Sequence, residues 1–458
     1  MISHDIRAHA IARYMARGFL PIDQARIGFE LEHFVVDRHT RELVPYLTDH
    51  HTGKPGVEFI LERLAAYYDT TVLERSSDGT ENLIGLSRAQ AAITLEPGAQ
   101  VEISIGPVAR IVELEQLYRD FRREIDPILD EYGYMLLEYG YHPTACAFEI
   151  PMIPKDRYAY MDEYFQHTGA HGICMMRASA ATQTSIDFTD EHDAIRKLRV
   201  ANALGPFFAF ITDNSPVYES VNVRAVHDSM CDNEHAATQR VSPRSGLAIP
   251  DRMARITNWD DCDPHRCLVP PAIFDEDYDF MAYASGLLKM PAIFTVESTA
   301  EHDKKSTYVG FRPHEDILAF KELDDATVEL ILSLCFYDVR LKNYLEIRQA
   351  DSMPLEYVLA FVALVKGIFY QEAALSYYAE QFTYLEAAAI AFAKSALRRN
   401  GYEAIVYQRP AAEWLDGLIA HAEQGLSADE RIYLMPLAQL IQERRTLLDM
   451  HRPDTGDN

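Results

Sequence analysis

The chain reads as an α+β protein whose sheet has one apolar and one acidic face and is surrounded by helices. Four short segments far apart in sequence alternate apolar residues with carboxylates, and several longer ones repeat apolar residues at helical spacing. No Pro/Gly/Ser linker, repeat or low-complexity run separates them. A single interwoven domain over residues 1–458 is expected, helical in its C-terminal part from about residue 352.

Residues 1–17 read as an amphipathic cap. In IGFELEHFVV (residues 27–36), successive strand side chains leave on opposite faces, so Glu30 and Glu32 share one face while Phe29, Leu31 and Val35 share the other. ITLEPGAQVEISI (residues 93–105) reads as one strand-like stretch around a Pro97-Gly98 turn. Glu96, Gln100 and Glu102 face one way there, and Leu95, Val101 and Ile103 the other. Residues 111–132 carry Leu114, Leu117, Phe121 and Ile125 at helical spacing, with a break or kink expected at Pro127. SAATQTSIDF (residues 179–188) sets Gln183, Ser185 and Asp187 against Thr184, Ile186 and Phe188. Residues 218–279, rich in Asp, Pro, His and Arg, read as long loops that cover a site or as an inert insertion. NYLEIRQAD (residues 343–351) sets Glu346 and Arg348 against Leu345 and Ile347. Helices are expected over residues 355–370, 383–399 and 429–450.

A sheet normally turns its polar face to water, but such faces are rich in Thr, Lys and mixed charge, whereas these are acidic. Two unit charges about 4 Å apart repel by roughly 4 kcal/mol at an effective dielectric near 20, so a carboxylate cluster with one arginine needs counter-cations. Carboxylate and amide oxygens are hard ligands suited to Mg²⁺, with Mn²⁺ as the alternative, and Mg²⁺ usually accompanies a nucleotide.

Four blocks occur in order over roughly three quarters of the chain: FELEHF, LEPGAQVEIS, PKDRYAYMDEYFQHTGAHGICMMRASAATQTSID (residues 154–187) and DVRLKNYLEIRQADSMP (residues 338–354). In these blocks the chain resembles the glutamate–cysteine ligases of the plant and proteobacterial type, within the glutamine-synthetase-like carboxylate-amine ligases. The resemblance implies a mainly antiparallel curved sheet forming an active-site cleft. It also implies ATP-dependent joining of the glutamate side-chain carboxyl to cysteine through γ-glutamyl phosphate, the first step of glutathione biosynthesis. Such chemistry calls for metal ligands and phosphate clamps rather than a nucleophile.

Position by position, the resemblance implies metal ligands at Glu30, Glu32, Glu102 and Glu346, and a metal or nucleotide contact at Gln183. Ser185 and Lys342 fall among the nucleotide contacts. Arg348 matches the arginine that binds the transferred phosphoryl group, a task suited to a planar, bidentate guanidinium; a salt bridge to a strand neighbour is compatible with that role. Glu96 and Gln100 are the candidates for the glutamate ammonium, and Arg177 for its carboxylate. Met175 and Met176 border the substrate pocket in the family, although a Met pair also serves as core filler. Lys155 and Arg157 either approach substrate or phosphate or are surface charges. Two positions depart from the family pattern: Ser185 replaces a usual amide, and Ala99 stands where a second glycine is common. Both keep open a related ligase that joins glutamate to another amine.

With 43 Lys and Arg against 70 Asp and Glu, the net charge of −27 argues against nucleic-acid or anionic-membrane partners. Small-molecule substrates and a monomer or homodimer are the expectation. No G-x-x-x-x-G-K-[ST], G-x-G-x-x-G or G-x-S-x-G element supports P-loop, Rossmann or nucleophile-elbow chemistry. The first residues contain Asp5, Arg7, Arg13 and Arg17 without an apolar run, unlike a secretory signal, and the stretch 358–365 is too short to span a bilayer. Six cysteines, at 146, 174, 231, 262, 267 and 335, lack a C-x-x-C pair and read as free cytosolic thiols, so a cytoplasmic location is expected; Cys262, His265 and Cys267 do not match a zinc-finger spacing. A non-catalytic nucleotide- or amino-acid-binding protein is the remaining reading. Retention of so costly a charge cluster argues against it.

Overall fold

The computed structural model describes residues 3–49, 51–76, 79–223, 241–250, 252–298 and 304–451. Its organising element is β1 (Ile27–Asp37), followed by β2 (Thr70–Arg75), β3 (Glu81–Arg88), β4 (Ala91–Leu95), β5 (Val101–Val108), β6 (Tyr134–Leu137) and β7 (Ala181–Ile186). Two small hairpins come next, β8 (Val217–Tyr218) with β9 (Val221–Asn222) and β10 (Pro291–Ser298) with β11 (Lys304–Pro313). They precede β12 (Val339–Leu341) and β13 (Leu345–Asp351). Among the described residues, nine strands form one antiparallel sheet in the order β12-β13-β7-β1-β5-β4-β3-β2, with β6 paired to the far end of β1. The expected α+β class with a mainly antiparallel sheet is thus observed.

Register brings the acidic positions together. Glu30 lies opposite Gln183 of β7 and Ser104 of β5, Glu32 opposite Glu102, and Glu346 opposite both Ser185 and Arg340. A slip of one residue would send every carboxylate into the core, and the apolar face forbids it. Phe29, Leu31, Val35, Val101, Ile103, Leu345 and Ile347 are all buried, each contributing roughly 1.5–3 kcal/mol relative to exposure. Three helices meet these strands: Ile111–Glu131 contacts β5, Leu355–Phe369 contacts β1 and β7, and Glu191–Ile211 contacts β13.

Several elements differ from expectation. Residues 93–105 form a hairpin rather than one stretch: Glu96 donates its N–H to the Gln100 carbonyl, and Ala99 takes φ +64° in the turn. That left-handed conformation is why a glycine suits the position, and alanine holds it at about 1 kcal/mol. Gly98 is needed for another reason, since a Cβ there would stand 2.3 Å from the Arg177 carbonyl oxygen. The helix Ile111–Glu131 continues through Pro127 without ending. The C-terminal helices begin at Leu355–Phe369, Glu372–Gln381 and Ala387–Asn400, and the expected helix over 429–450 is Arg431–Gln442 followed by a 3₁₀ turn, Leu447–His451. No single helix among the described residues is long and apolar enough to cross a membrane. In the segment expected to be loops, residues 224–240 and 251 lie outside the described residues. What is described contains the helix Ala254–Asp260, with Ala254, Arg255, Ile256 and Asn258 buried, so this part includes packed structure as well as loops. Five cysteines are free and buried; Cys231 lies outside the described residues.

Candidate active site

The acidic face of the sheet floors a cleft of about 280 Å³ lined by Glu30, Glu32, Glu96, Gln100, Glu102, Gln183, Arg340, Lys342 and Arg348. Its walls carry Lys155, Arg157, Tyr158, Met161, Met175, Met176 and Trp259. One side is cationic. Glu346 is fully buried and receives Arg340 Nε and Nη2 at 2.7 and 2.9 Å, Lys342 Nζ at 3.1 Å and Arg348 Nη1 at 2.6 Å. Burial alone would push its carboxyl upward, but Arg340, Lys342 and Arg348 outweigh that and hold it well below the ordinary carboxylate range. Lys342 also donates to the Tyr344 hydroxyl at 2.9 Å, and Arg348 to the Gln183 amide oxygen at 2.5 Å.

The other side is a cluster of carboxylates that repel. Glu32 accepts from the Ala181 N–H at 2.9 Å and Gln183 Nε2 at 3.0 Å; Glu102 accepts from the Thr94 hydroxyl at 2.6 Å. Burial and then the charge of Glu96 raise Glu32 to about 8. Burial, with Glu30, Glu96 and Glu32 nearby, raises Glu102 well above its ordinary value, and burial and Glu346 raise Glu30. Like charges placed directly across a strand pair are destabilising. Three carboxylates held this way suit a hard divalent cation, while the Gln183 amide turns its NH₂ to Glu32 and its oxygen to Arg348. As they stand, no three His, Cys, Asp or Glu side chains among the described residues are grouped to hold one ion.

Lys155 and Arg157 face the cleft and not the surface. Burial and then Arg157 bring Lys155 down to about 8, and its Nζ lies 4.6 Å from the Tyr158 ring centre. The Arg157 guanidinium sits 5.7 Å from Tyr158 and 5.9 Å from Phe294, with its Nε buried and lacking a hydrogen-bond partner. Met175 and Met176 line the same cleft.

Two expected substrate contacts are engaged elsewhere. Arg177 donates to Asp162 Oδ1 at 2.7 and 3.1 Å and to the Ile150 carbonyl at 3.3 Å, and it does not line the cleft. Gln100 borders the cleft, yet its amide clamps the turn: Oε1 accepts from the Gly98 N–H at 2.8 Å, while Nε2 donates to the carbonyls of Ser179 at 2.9 Å and Arg177 at 3.3 Å. Ser185 opens onto an adjoining pocket of about 420 Å³ that shares Glu30 with the cleft and includes Ser104, Asp187, Asn343 and Tyr344.

Sequence reasoning missed Arg340, Thr94 and Trp259. Arg340 lies inside DVRLKNYLEIRQADSMP, and pairing its strand with the next, which sets it opposite Glu346, would have found it. Thr94 alternates with Glu96 on the strand before the turn. Trp259, whose ring centre is 5.3 Å from the Arg348 guanidinium, has no local signal.

A family model described as Glutamate-cysteine ligase family 2 (GCS2) matches residues 26–458. The chloroplastic glutamate–cysteine ligase B of Oryza sativa subsp. japonica is 29% identical over 370 residues, 79% of this chain and 66% of its own. The chloroplastic glutamate–cysteine ligase of Arabidopsis thaliana is 28% identical over 369 residues, 79% of this chain and 62% of its own. The matched part thus spans somewhat less than two thirds of the length of these relatives. A solved glutamate–cysteine ligase from Francisella tularensis, in complex with AMP, aligns at 11% identity and a TM-score of 0.47 over 92% of this chain and 82% of that one.

Proposed function

This chain belongs to the glutamate–cysteine ligase family 2, and from that premise we propose that it joins the γ-carboxyl of L-glutamate to the amine of L-cysteine while ATP becomes ADP and phosphate. A γ-carboxylate oxygen attacks the γ-phosphorus of ATP and ADP leaves, forming γ-glutamyl phosphate. The cysteine amine then attacks the acyl carbon, phosphate leaves, and the amine gives up a proton.

The observation that carries this reading is the meeting, in one cleft, of three cations on Glu346 with the carboxylates Glu30, Glu32 and Glu102. A carboxylate approaching a triphosphate is repelled, and the cations offset that repulsion. Arg348 is the fork for the transferred phosphoryl group, and Glu346 holds Arg340, Lys342 and Arg348 in place before the nucleotide arrives. Glu30, Glu32 and Glu102 would hold Mg²⁺ or Mn²⁺, which when bound neutralises phosphate charge; the Gln183 amide oxygen and both Glu346 oxygens, also expected as ligands, are taken up by Arg340, Lys342 and Arg348 instead. Lys155 and Arg157 supply the cationic end for an amino-acid carboxylate, the task first given to Arg177; Glu96 supplies the anion for an ammonium. The site needs no residue to become covalently attached, because positioning and electrostatics can provide the rate.

The test is ADP release from the purified protein with ATP, Mg²⁺ and L-glutamate, comparing L-cysteine with other amines and reading the product mass. Release that requires both amino acids, with the γ-glutamylcysteine mass, is expected. Turnover with another amine alone would replace the acceptor, and tight ATP binding without turnover would support the non-catalytic reading instead.

A further inference from the structure

The helix Ala254–Asp260 touches the cleft only through Trp259, yet it is tied to the strand that carries Arg348 at three points. At its start, Arg255 is almost fully buried. Arg255 Nη2 donates to the carbonyls of Arg348 at 2.7 Å and Ala350 at 2.9 Å, and its Nε donates to Asp351 Oδ1 at 3.0 Å. In its last turn, the Trp259 ring lies under the Arg348 guanidinium. At its end, Asp260 meets Lys394 Nζ at 2.6 Å, and the same ammonium reaches Asp338 Oδ2 at 2.7 Å. The Asp338 carbonyl in turn accepts the Arg348 N–H at 3.1 Å.

These ties fall where the sheet cannot hold itself. The register of β13 against β7 shifts between Ile347 and Ala350, so the ladder is interrupted at Arg348. A bulge bends the strand and re-aims the side chain it carries. The Arg348 carbonyl that Arg255 takes up belongs to the bulge, and the Ala350 carbonyl to the residue at which pairing with Thr182 resumes; an interrupted ladder leaves a buried carbonyl in need of a donor. Asp351 is fixed independently, accepting from the Asn214 N–H at 2.9 Å and the Ser215 hydroxyl at 2.7 Å, so Arg255 is anchored to a rigid point.

We propose that this helix positions the phosphoryl-binding arginine: Arg255 fixes the backbone of Arg348 at the bulge, and Trp259 supports the guanidinium face so that its fork points along the cleft. Neither residue touches the reacting atoms in this account, and both are positioning residues. The inference rests on the reading of Arg348 as the phosphoryl clamp. Displacement of such a group by about 1 Å can lower a rate by about 100-fold while the substrate still binds.

The test uses the full chain as wild type, Arg255→Lys, Trp259→Leu, Trp259→Phe and Arg348→Ala, with kcat and KM for ATP read from ADP release and folding checked by thermal melting. Arg255→Lys keeps the charge beside Asp351 but loses the two-carbonyl grip. We expect kcat to fall at least about tenfold with KM for ATP within about threefold. Trp259→Leu should do the same, and Trp259→Phe, which keeps an aromatic face, should stay within about threefold of wild type. A second readout is independent of turnover. The chain has two tryptophans, so subtracting the emission of the matching Trp259→Phe protein isolates that of Trp259. Arg255→Lys should shift this emission as Arg348→Ala does. The proposal is overturned if folded Arg255→Lys and Trp259→Leu retain kcat within about twofold, or if Arg255→Lys leaves Trp259 emission at its wild-type value. It is equally overturned if Arg348→Ala does not move that emission. Should Arg255→Lys fail to fold, the contrast between Trp259→Leu and Trp259→Phe decides. If the wild type releases no ADP with glutamate and cysteine, the ligase reading fails, and the emission shift still decides whether Arg255 places Arg348.

Discussion

Glu346→Gln removes one charge from the point where Arg340, Lys342 and Arg348 meet. Four nitrogens approach its two oxygens at 2.6–3.1 Å in a fully buried position. Glutamine keeps one acceptor oxygen and turns an NH₂ toward a cation. Removing one partner of a buried pair costs about 3–5 kcal/mol, and water in the cleft beside Lys342 and Arg348 recovers part of it, leaving about 2–4 kcal/mol. With an unfolding entropy of about 2.1 cal/mol/K per residue, near 1 kcal/mol/K for this chain length, Tm falls by about 2–4 °C if unfolding is two-state. The fold survives, and the substitution is not silent in stability. The folded carboxyl lies well below its ordinary value of 4.5. Its contribution is therefore complete above that value and is lost as pH falls through the folded pKa. The gap in Tm between wild type and variant should be constant from about pH 6 to 8 and close below about pH 4.5. ADP release should fall by about 10²–10³ because Arg348 loses its anchor. The assay is paired thermal melts across pH with ADP release at pH 7.5. A variant that melts with the wild type at every pH and turns over within about twofold of it would refute the account of Glu346 as the organising anion.

Glu32, raised to about 8, binds a proton in the folded protein over a range where the unfolded chain has lost it, so metal-free stability should decline as pH rises from about 4.5 to 8. Glu32→Gln should flatten that slope and weaken the rise in Tm that Mg²⁺ produces at pH 8; parallel curves with and without Mg²⁺ would remove Glu32 from the cation site. Arg348→Ala should lower kcat by about 10²–10³ with KM for ATP changed by less than about threefold, because its contact strengthens as charge builds on the transferred group. Equal losses in ground-state ATP binding and in kcat/KM would make it a binding residue only. Gln100→Leu should leave the Gly98 N–H and the Ser179 carbonyl unpaired, lowering stability by about 2–4 kcal/mol with KM for glutamate unchanged in the folded fraction; a large rise in KM at unaltered Tm would return Gln100 to the substrate.

The faces of the strands were legible because period-two alternation is a local property: Glu30, Glu32, Glu102, Gln183, Glu346 and Arg348 do share one side of the sheet, and their apolar neighbours are buried. Legibility stopped where burial removes periodicity. The helix Glu191–Ile211 is buried along nearly its whole length, so it shows no amphipathic stripe, and the 7-residue helix Ala254–Asp260 is too short to show one. It stopped again where a polar group's partner comes from far along the chain. Arg177 and Gln100 had suitable chemistry for substrate, but Asp162 and the turn at Gly98 were closer.

The same limit separates two carboxylates that look alike in sequence. Glu30 and Glu346 both alternate with apolar residues on strands, and both line or adjoin the cleft. In the fold, burial and the charge of Glu346 raise the first, whereas three cations overcome burial to lower the second. The difference arises from the tight reversal at Lys342 and Tyr344, which folds β12 back onto β13 and sets Arg340 opposite Glu346. That reversal changes Glu346 from one more repelling carboxylate into the anion that collects the phosphate-facing cations, and it leaves Glu30, Glu32 and Glu102 as the carboxyls that burial and one another raise, the side on which a bound cation would favour ionisation. A cleft with its opposite charges sorted onto two sides in this way suits a substrate that is itself divided, with phosphate oxygens toward the arginines and a hard cation toward the glutamates.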